Sequence, residues 1–513
     1  MKKLVPGVRR VLLSFAGNEA FYMFFAFITA SESLLYMSPL YWYSPLIDVI
    51  SSYVVAPWGA ALCLLRLERR VRIDETGSRA DLTLLFLLLM WLLFPFVYRF
   101  GPTAKNMICW SNFMILFFGV FASVTEVDSR SFERILDSAT MLFAALGLVL
   151  GVCALYSAAT VQKLFYDGYT PGAIGFGLTD DMPNMLNYGL HYNISAMISV
   201  CCALFALAGF CRSKNAPARL LYLISFAAQL LVVVLSQSRT SRYAMLIALA
   251  VGLYGLLNGR LPVTRSAARH AVAIACSLVF LVAGFAGARL LTNLALEHYE
   301  TVRGERLALE AAQSQPPASD AVEMPSDPGE AFESEASPAV QDAANTDFLV
   351  TRAAAEEDST VTQRAAIDST FSQRTIIWQN LLNYWQENPK RLLIGNGMQQ
   401  TGTLIVEGLD AVTIPVHNAY LQFIADYGLI GFVLLAAFLC LQVPRALRVL
   451  CAPKALSKPG DRVFVMLVVA QCMIGLMESV PLAPMSGQSC VLFFSLAAVF
   501  VRDRQLREAS RAQ

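Results

Sequence analysis

The length of its apolar runs constrains this chain more than any other feature. They last about 18 to 24 residues, matching the roughly 20 that a helix needs to cross a hydrocarbon core of ~30 Å. Amphipathic stripes, the mark of a water-soluble helical protein, are not the dominant pattern. With 56% hydrophobic and 15% charged residues over 513 positions, the reading is an all-α polytopic membrane protein. Twelve spans are expected: near 20–38, 45–65, 81–98, 106–124, 137–159, 189–211, 219–235, 243–258, 271–292, 423–443, 463–480 and 487–502.

Lys and Arg set the expected orientation, because positive charge collects on cytoplasmic loops. Lys2, Lys3, Arg9 and Arg10 precede the first span, and Arg66, Arg69, Arg70 and Arg72 follow the second. Further basic groups sit at Arg130 and Arg134, at Arg212 and Lys214, at Arg260, Arg265 and Arg269, at Arg445, Arg448 and Lys454, and at Arg502 and Arg504. These fall in every second loop, which puts both termini inside. The first span lacks a small-residue cleavage site and reads as an uncleaved signal anchor. A net charge of +1 argues against a nucleic-acid partner. The eleven Cys lie in or beside apolar spans, as small apolar residues do, rather than as a disulfide or metal framework.

This topology divides the chain into helices 1–9 over 1–292, a large extracytoplasmic loop over 293–422, and helices 10–12 with a short cytoplasmic tail over 423–513. Within the loop, 308–346 carries five Pro, many Ala and Ser, and Asp320, Glu323, Glu330, Glu333 and Glu335 with no Lys or Arg. Low hydrophobicity with charge of one sign predicts disorder. In RTIIWQNLLNYWQENP, Ile377, Trp378, Leu381, Leu382 and Trp385 recur on one face, predicting an amphipathic helix over 373–388 that Pro389 ends. Such a helix lies in the headgroup layer or packs on the bundle.

Two further outer features carry titratable or charged groups. The turn SQSRTSR joins the seventh and eighth spans and places Arg239 and Arg242 near the outer boundary. Two readings stand for this pair: snorkelling to lipid phosphates, or clamping an anionic substrate. The stretch PVHNAYLQFIADYGLIG puts His417 and the helix-capping residue Asn418 at the start of the tenth span. For a lone histidine there, a hydrogen-bonded structural role is the plainer reading. Its sharing a face with Arg239 and Arg374 favours a reaction centre.

In these residues the sequence resembles the O-antigen ligase and O-antigen polymerase superfamily of bacterial envelope glycosyltransferases. The elements are Ser238 with Arg239 at the end of a span, Arg374 followed at i+4 by Trp378, Gly395 and Gly397 in a turn, and the run His417, Asn418, Tyr420, Leu421, Gln422, Gly428 and Gly431. Asp426 stands where that last element usually has glutamate. The resemblance covers roughly 180–443.

It implies transfer of a glycan from an undecaprenyl diphosphate carrier to an acceptor hydroxyl, on a glycan or a lipid, at the outer face of the bacterial inner membrane. Arg239 and Arg374 would then hold the diphosphate, with Arg242 as a weaker third cation, since the planar guanidinium matches phosphate oxygens. His417 would take the hydroxyl proton or orient the acceptor. Ser238, Asn418 and Trp378 are candidate substrate contacts, as are His191 and Asn193 at the start of the sixth span, for which helix-end capping is the plainer reading. Direct attack would invert the anomeric centre.

No cofactor is expected, and the first outer loop, Ser38 to Ser44, offers no carboxylate for a divalent ion. Asp180 and Asp181 are the one compact acidic pair near the site, for which a solvated loop is the plainer reading. A lipid-linked oligosaccharide flippase fits twelve spans as well. It would place its polar groups at the bilayer midplane and in broken helices instead. A membrane scaffold whose outer loop binds partners is a third reading.

Overall fold

In the computed structural model the described residues are chiefly 128–162, 192–259, 266–314, 369–397, 416–453, 458–482 and 486–512, with isolated positions between 81 and 126 and short pieces between 164 and 187. The first two expected spans, the middle of the acidic Pro-rich segment, His191, Asp180 and Asp181 lie outside the described residues.

The described chain is nearly all helical. In order it forms α1 (Ser129–Thr160), α2 (Tyr192–Arg212), α3 (Ala216–Leu235), α4 (Arg239–Asn258), α5 (Ser266–Ser314), α6 (Ser369–Glu387), α7 (Pro389–Ile394), α8 (Ala419–Cys451), α9 (Pro459–Gly475) and α10 (Gly487–Ala512). A two-residue antiparallel pair, β1 (Gly175–Phe176) with β2 (Leu186–Asn187), is the sole sheet among the described residues. Six helices there are long and apolar enough to cross a membrane: α1 to α4, most of α5, and α8.

The most buried of these is α2, which packs against α1, α3, α4 and α9. Apolar on every side, it has no polar face to give to water and occupies the middle of the bundle. Phe143 stacks on Phe205 there, and Phe464 and Phe494 close the same cluster edge-on. At the periphery, α5 leaves Leu278, Val279, Val282 and Leu290 more than half exposed, as expected of side chains that meet lipid.

Several boundaries differ from expectation, among them the start of α3 and the end of α5. Pro217 sits in the first turn of α3, where it lacks nothing a helix start needs, so the helix begins at Ala216 rather than near Arg219 and runs 20 residues. That gives ~30 Å at 1.5 Å per residue, a full crossing. Meanwhile α5 runs on to Ser314, into the first residues of the segment expected to lack order.

The helix α8 is broken. Gly428 has φ +74° and ψ 173° inside it, which frees carbonyls that an unbroken helix would use. The turn after α7 takes two of them: Asn396 N donates to Ala425 O at 2.9 Å, and Gly397 N to Asp426 O at 2.8 Å. Trp91 Nε1 donates to Tyr427 O at 2.5 Å. In a bilayer, broken backbone persists only where such partners replace the lost bonds. Gly395, at φ +81°, faces Gly428 across this junction, and a Cβ on Gly428 would come within 2.6 Å of Gly395 N.

Most ion pairs among the described residues lie at one end of the bundle. Arg212 pairs with Glu133 at 2.7 Å and Asp137 at 2.6 Å, and Arg502 with Glu133 at 2.6 Å and Asp461 at 2.9 Å. Beside them Arg445 meets Asp81 at 2.7 Å, while Asp503 receives Arg448 at 2.5 Å and Arg507 at 2.8 Å. These positions mark the start of α1 and α9 and the end of α2, α8 and α10. The opposite ends of α2, α8 and α9 hold the other polar cluster.

Candidate active site

At that opposite end, α9 stops at Gly475, short of the expected 480, and the chain turns before a 3₁₀ segment at Val480–Leu482. Glu478 sits in this turn and is 7% exposed. Its carboxylate is met from three separate segments. Arg374 Nη2 on α6 donates to Oε1 at 2.8 Å, and Asn193 Nδ2, in the first turn of α2, donates to the same oxygen at 3.1 Å. His417 Nδ1, just before α8, lies 3.4 Å from Oε2.

His417 is fixed through its neighbours. Val416 is fully buried; its carbonyl accepts from Trp378 Nε1 at 2.9 Å and its N–H donates to Gln422 Oε1 at 2.9 Å. Asn418 caps α8, its Oδ1 accepting from Tyr420 N and Leu421 N at 3.0 Å each, while its Nδ2 donates to Leu476 O at 2.9 Å. Between two anchored residues His417 adopts φ +52°, a left-handed conformation costing about 1–2 kcal/mol outside glycine. The surrounding hydrogen bonds hold it there. The imidazole itself is 35% exposed, the most open of the groups on Glu478.

Arg374 and Trp378 lie one turn apart on α6, so one helix supplies both the guanidinium on Glu478 and the indole that holds the backbone before His417. Leu381 and Trp385 continue that face into a small core with Val416 and Ala425, whereas Leu382 points away and is 48% exposed. The amphipathic helix therefore packs on α8.

The SQSR turn is linked to this cluster through Tyr192. The charges of Arg239, Arg374 and Glu478 all act at the hydroxyl of Tyr192, the first residue of α2. Arg239 is exposed at the start of α4. Ser238 is fully buried and caps α4 by accepting from Ser241 N at 3.4 Å. Arg242 Nη2 donates to Gln237 O at 3.0 Å and braces a turn in which Gln237 has φ +54°. The structure thus gathers Arg374, His417 and Asn193 at Glu478, leaves the charge of Arg239 acting with those of Arg374 and Glu478 on Tyr192, and gives Asn418, Ser238, Arg242 and Trp378 bracing contacts.

Residues 221–436 match the family model described as O-antigen ligase. Over that stretch the chain is similar to the O-antigen ligase family, which supports the O-antigen ligase and polymerase superfamily. Among curated proteins none matches the chain. Ser238, Arg239, Arg374, Trp378, His417 and Asn418 all fall inside the matched O-antigen ligase segment, while Asn193 and Glu478 fall outside it. The chain is a multi-pass membrane protein of O-antigen or related polysaccharide assembly.

Sequence reading did not single out Glu478. One signal was available: it is the single carboxylate between Asp461 and Asp503, at the end of an apolar run. A charge placed there is costly unless it has partners. Among the described residues, no three His, Cys, Asp or Glu side chains gather as a metal set would.

Proposed function

We propose that this protein transfers or polymerises a glycan, taking it from an undecaprenyl diphosphate carrier and attaching it to a hydroxyl of a glycan or lipid acceptor at the outer face of the bacterial inner membrane. The observation that carries the reading is the meeting of Arg374 and His417 on one buried carboxylate. A cation for the leaving diphosphate and a base for the incoming hydroxyl thereby lie within a side chain's reach of each other. Their position opposite the end where the charged pairs gather agrees with an outward-facing site and inward termini.

In this reaction Arg239 and the uncommitted donors of Arg374 stabilise charge on the departing diphosphate. His417 takes the proton from the acceptor hydroxyl as its oxygen bonds to the anomeric carbon. The bond from that carbon to the phosphate oxygen breaks, its electron pair leaving with the lipid diphosphate. A single displacement of this kind inverts the anomeric centre and needs no metal. The division into helices over 1–292, an outer loop over 293–422 and helices over 423–513 belongs to the same reading.

The test uses the full chain in proteoliposomes loaded with undecaprenyl diphosphate-linked glycan. His417→Ala and Arg374→Ala are each expected to slow transfer by about 10²–10⁴-fold while lipid-linked glycan stays accessible on the outer leaflet. Glycan trapped inside the vesicle in either variant would overturn the reading in favour of a flippase.

A further inference from the structure

Resting on that reading, we propose that Glu478 is the positioning residue of the reaction: its carboxylate holds His417 Nδ1 so that Nε2 is the nitrogen offered to the acceptor hydroxyl. Neutral imidazole carries its proton on one nitrogen and accepts on the other, and the partner of one nitrogen decides which. A carboxylate accepts only, so with Glu478 Oε2 at 3.4 Å from Nδ1 the proton resides on Nδ1 and the lone pair on Nε2. Nε2 meets no partner among the described residues, and the ring is 35% exposed. The 3.4 Å separation is long for a hydrogen bond, as is common before substrate tightens a site.

The same carboxylate is suited to the task because it cannot drift. Its other oxygen is held by Arg374 at 2.8 Å and Asn193 at 3.1 Å, from two helices that do not carry His417, and the group is buried. When Nε2 receives the hydroxyl proton, the imidazolium formed lies against a carboxylate rather than against Arg374 alone, which lowers the energy of that charge. Oε1 thus faces the donor-side cation and Oε2 the acceptor-side base, so a single side chain fixes their separation.

Two measurements on the full chain test this. Initial rates are taken in proteoliposomes for the wild type, Glu478→Gln, His417→Ala and the double variant. Glu478→Gln is expected to lower kcat about 10²-fold or more with the KM for the lipid-linked donor changed less than about threefold. The double variant is expected to be no slower than His417→Ala, because a residue acting through another adds nothing once that other is gone. Additive losses, or a Glu478→Gln rate equal to wild type, would overturn the proposal.

Independently of any transfer, nitrogen NMR of ¹⁵N-histidine-labelled wild type reads the tautomer. With four histidines in the chain, the His417 signals follow from their loss in His417→Gln. A proton on Nδ1 supports the proposal even where transfer fails, which would count against the glycan reading alone. A proton on Nε2 in the wild type would sink the positioning role, including where Glu478→Gln does not fold.

Discussion

Arg374 and Glu478 are 9% and 7% exposed, so removing one charge strands the other. Breaking a buried pair from one side costs about 3–5 kcal/mol, mostly through the uncompensated partner. Arg374→Ala leaves Glu478 with Asn193 and with the partly exposed His417, which softens the loss, so the lower end applies: ~3 kcal/mol, or roughly a hundredfold in a local opening equilibrium. The opening should show in α6, which Arg374 ties to the turn after α9. Hydrogen exchange of peptides covering 369–387 is expected to accelerate by that factor. Adding Glu478→Gln removes the stranded charge, and the double variant is expected to recover at least half of the lost protection while transfer stays abolished. Unchanged exchange in Arg374→Ala, or weaker protection in the double variant than in the single, would refute the buried-pair reasoning. Recovery of transfer in the double variant would show that Arg374 serves stability alone.

Two other perturbations follow from the same geometry. Gly428→Ala would force a Cβ against the Leu393 carbonyl at φ +74°; strain of about 1–2 kcal/mol and two weakened loop bonds of about 1 kcal/mol each predict a lower thermal unfolding temperature in detergent. Trp378→Phe keeps a ring in the small core but deletes the donor to Val416 O. Transfer is expected to fall about tenfold through a looser His417, with donor KM unchanged and the unfolding temperature nearly so.

The helices were legible because lipid imposes a compositional rule that needs no tertiary knowledge: from α1 onward each expected run holds a helix, and six of these helices are long and apolar enough to cross a membrane. The helix ends were less legible. Hydropathy marks where a chain leaves the bilayer, not where its helix stops; α5 passes into the sequence LALEHYETVRGERLALEAAQS, rich in helix-forming Ala, Glu and Leu, and continues. In the candidate site, His417, Asn418, Arg374 and Trp378 were readable because their spacing to each other along the chain is itself a pattern. Glu478 lies 61 residues from His417 and 104 from Arg374, with no fixed local spacing to either. Its role exists only once α2, α6, α8 and the end of α9 are brought together. Ser238 and Arg242 show the converse: both sit in a readable motif, yet their contacts support the turn itself.

The three partners of Glu478 can serve chemistry only if the helices that bear them keep their mutual heights, and the other end of the bundle supplies that restraint. Arg212 closes α2 and Asp461 opens α9, 3.6 Å apart, and Glu133 at the start of α1 receives both Arg212 and Arg502. The helices that carry Asn193 and lead to Glu478 are therefore clamped at one end by buried ion pairs, and they meet the reacting groups at the other. Buried pairs of this kind contribute little net stability, since desolvation offsets most of their attraction. What they do contribute is register: sliding α2 against α9 by one turn, about 5.4 Å, would separate Arg212 from Asp461 and Asn193 from Glu478 together. A site assembled from several segments gains from such a lock, because a misplacement of about 1 Å is enough to cost a hundredfold in rate.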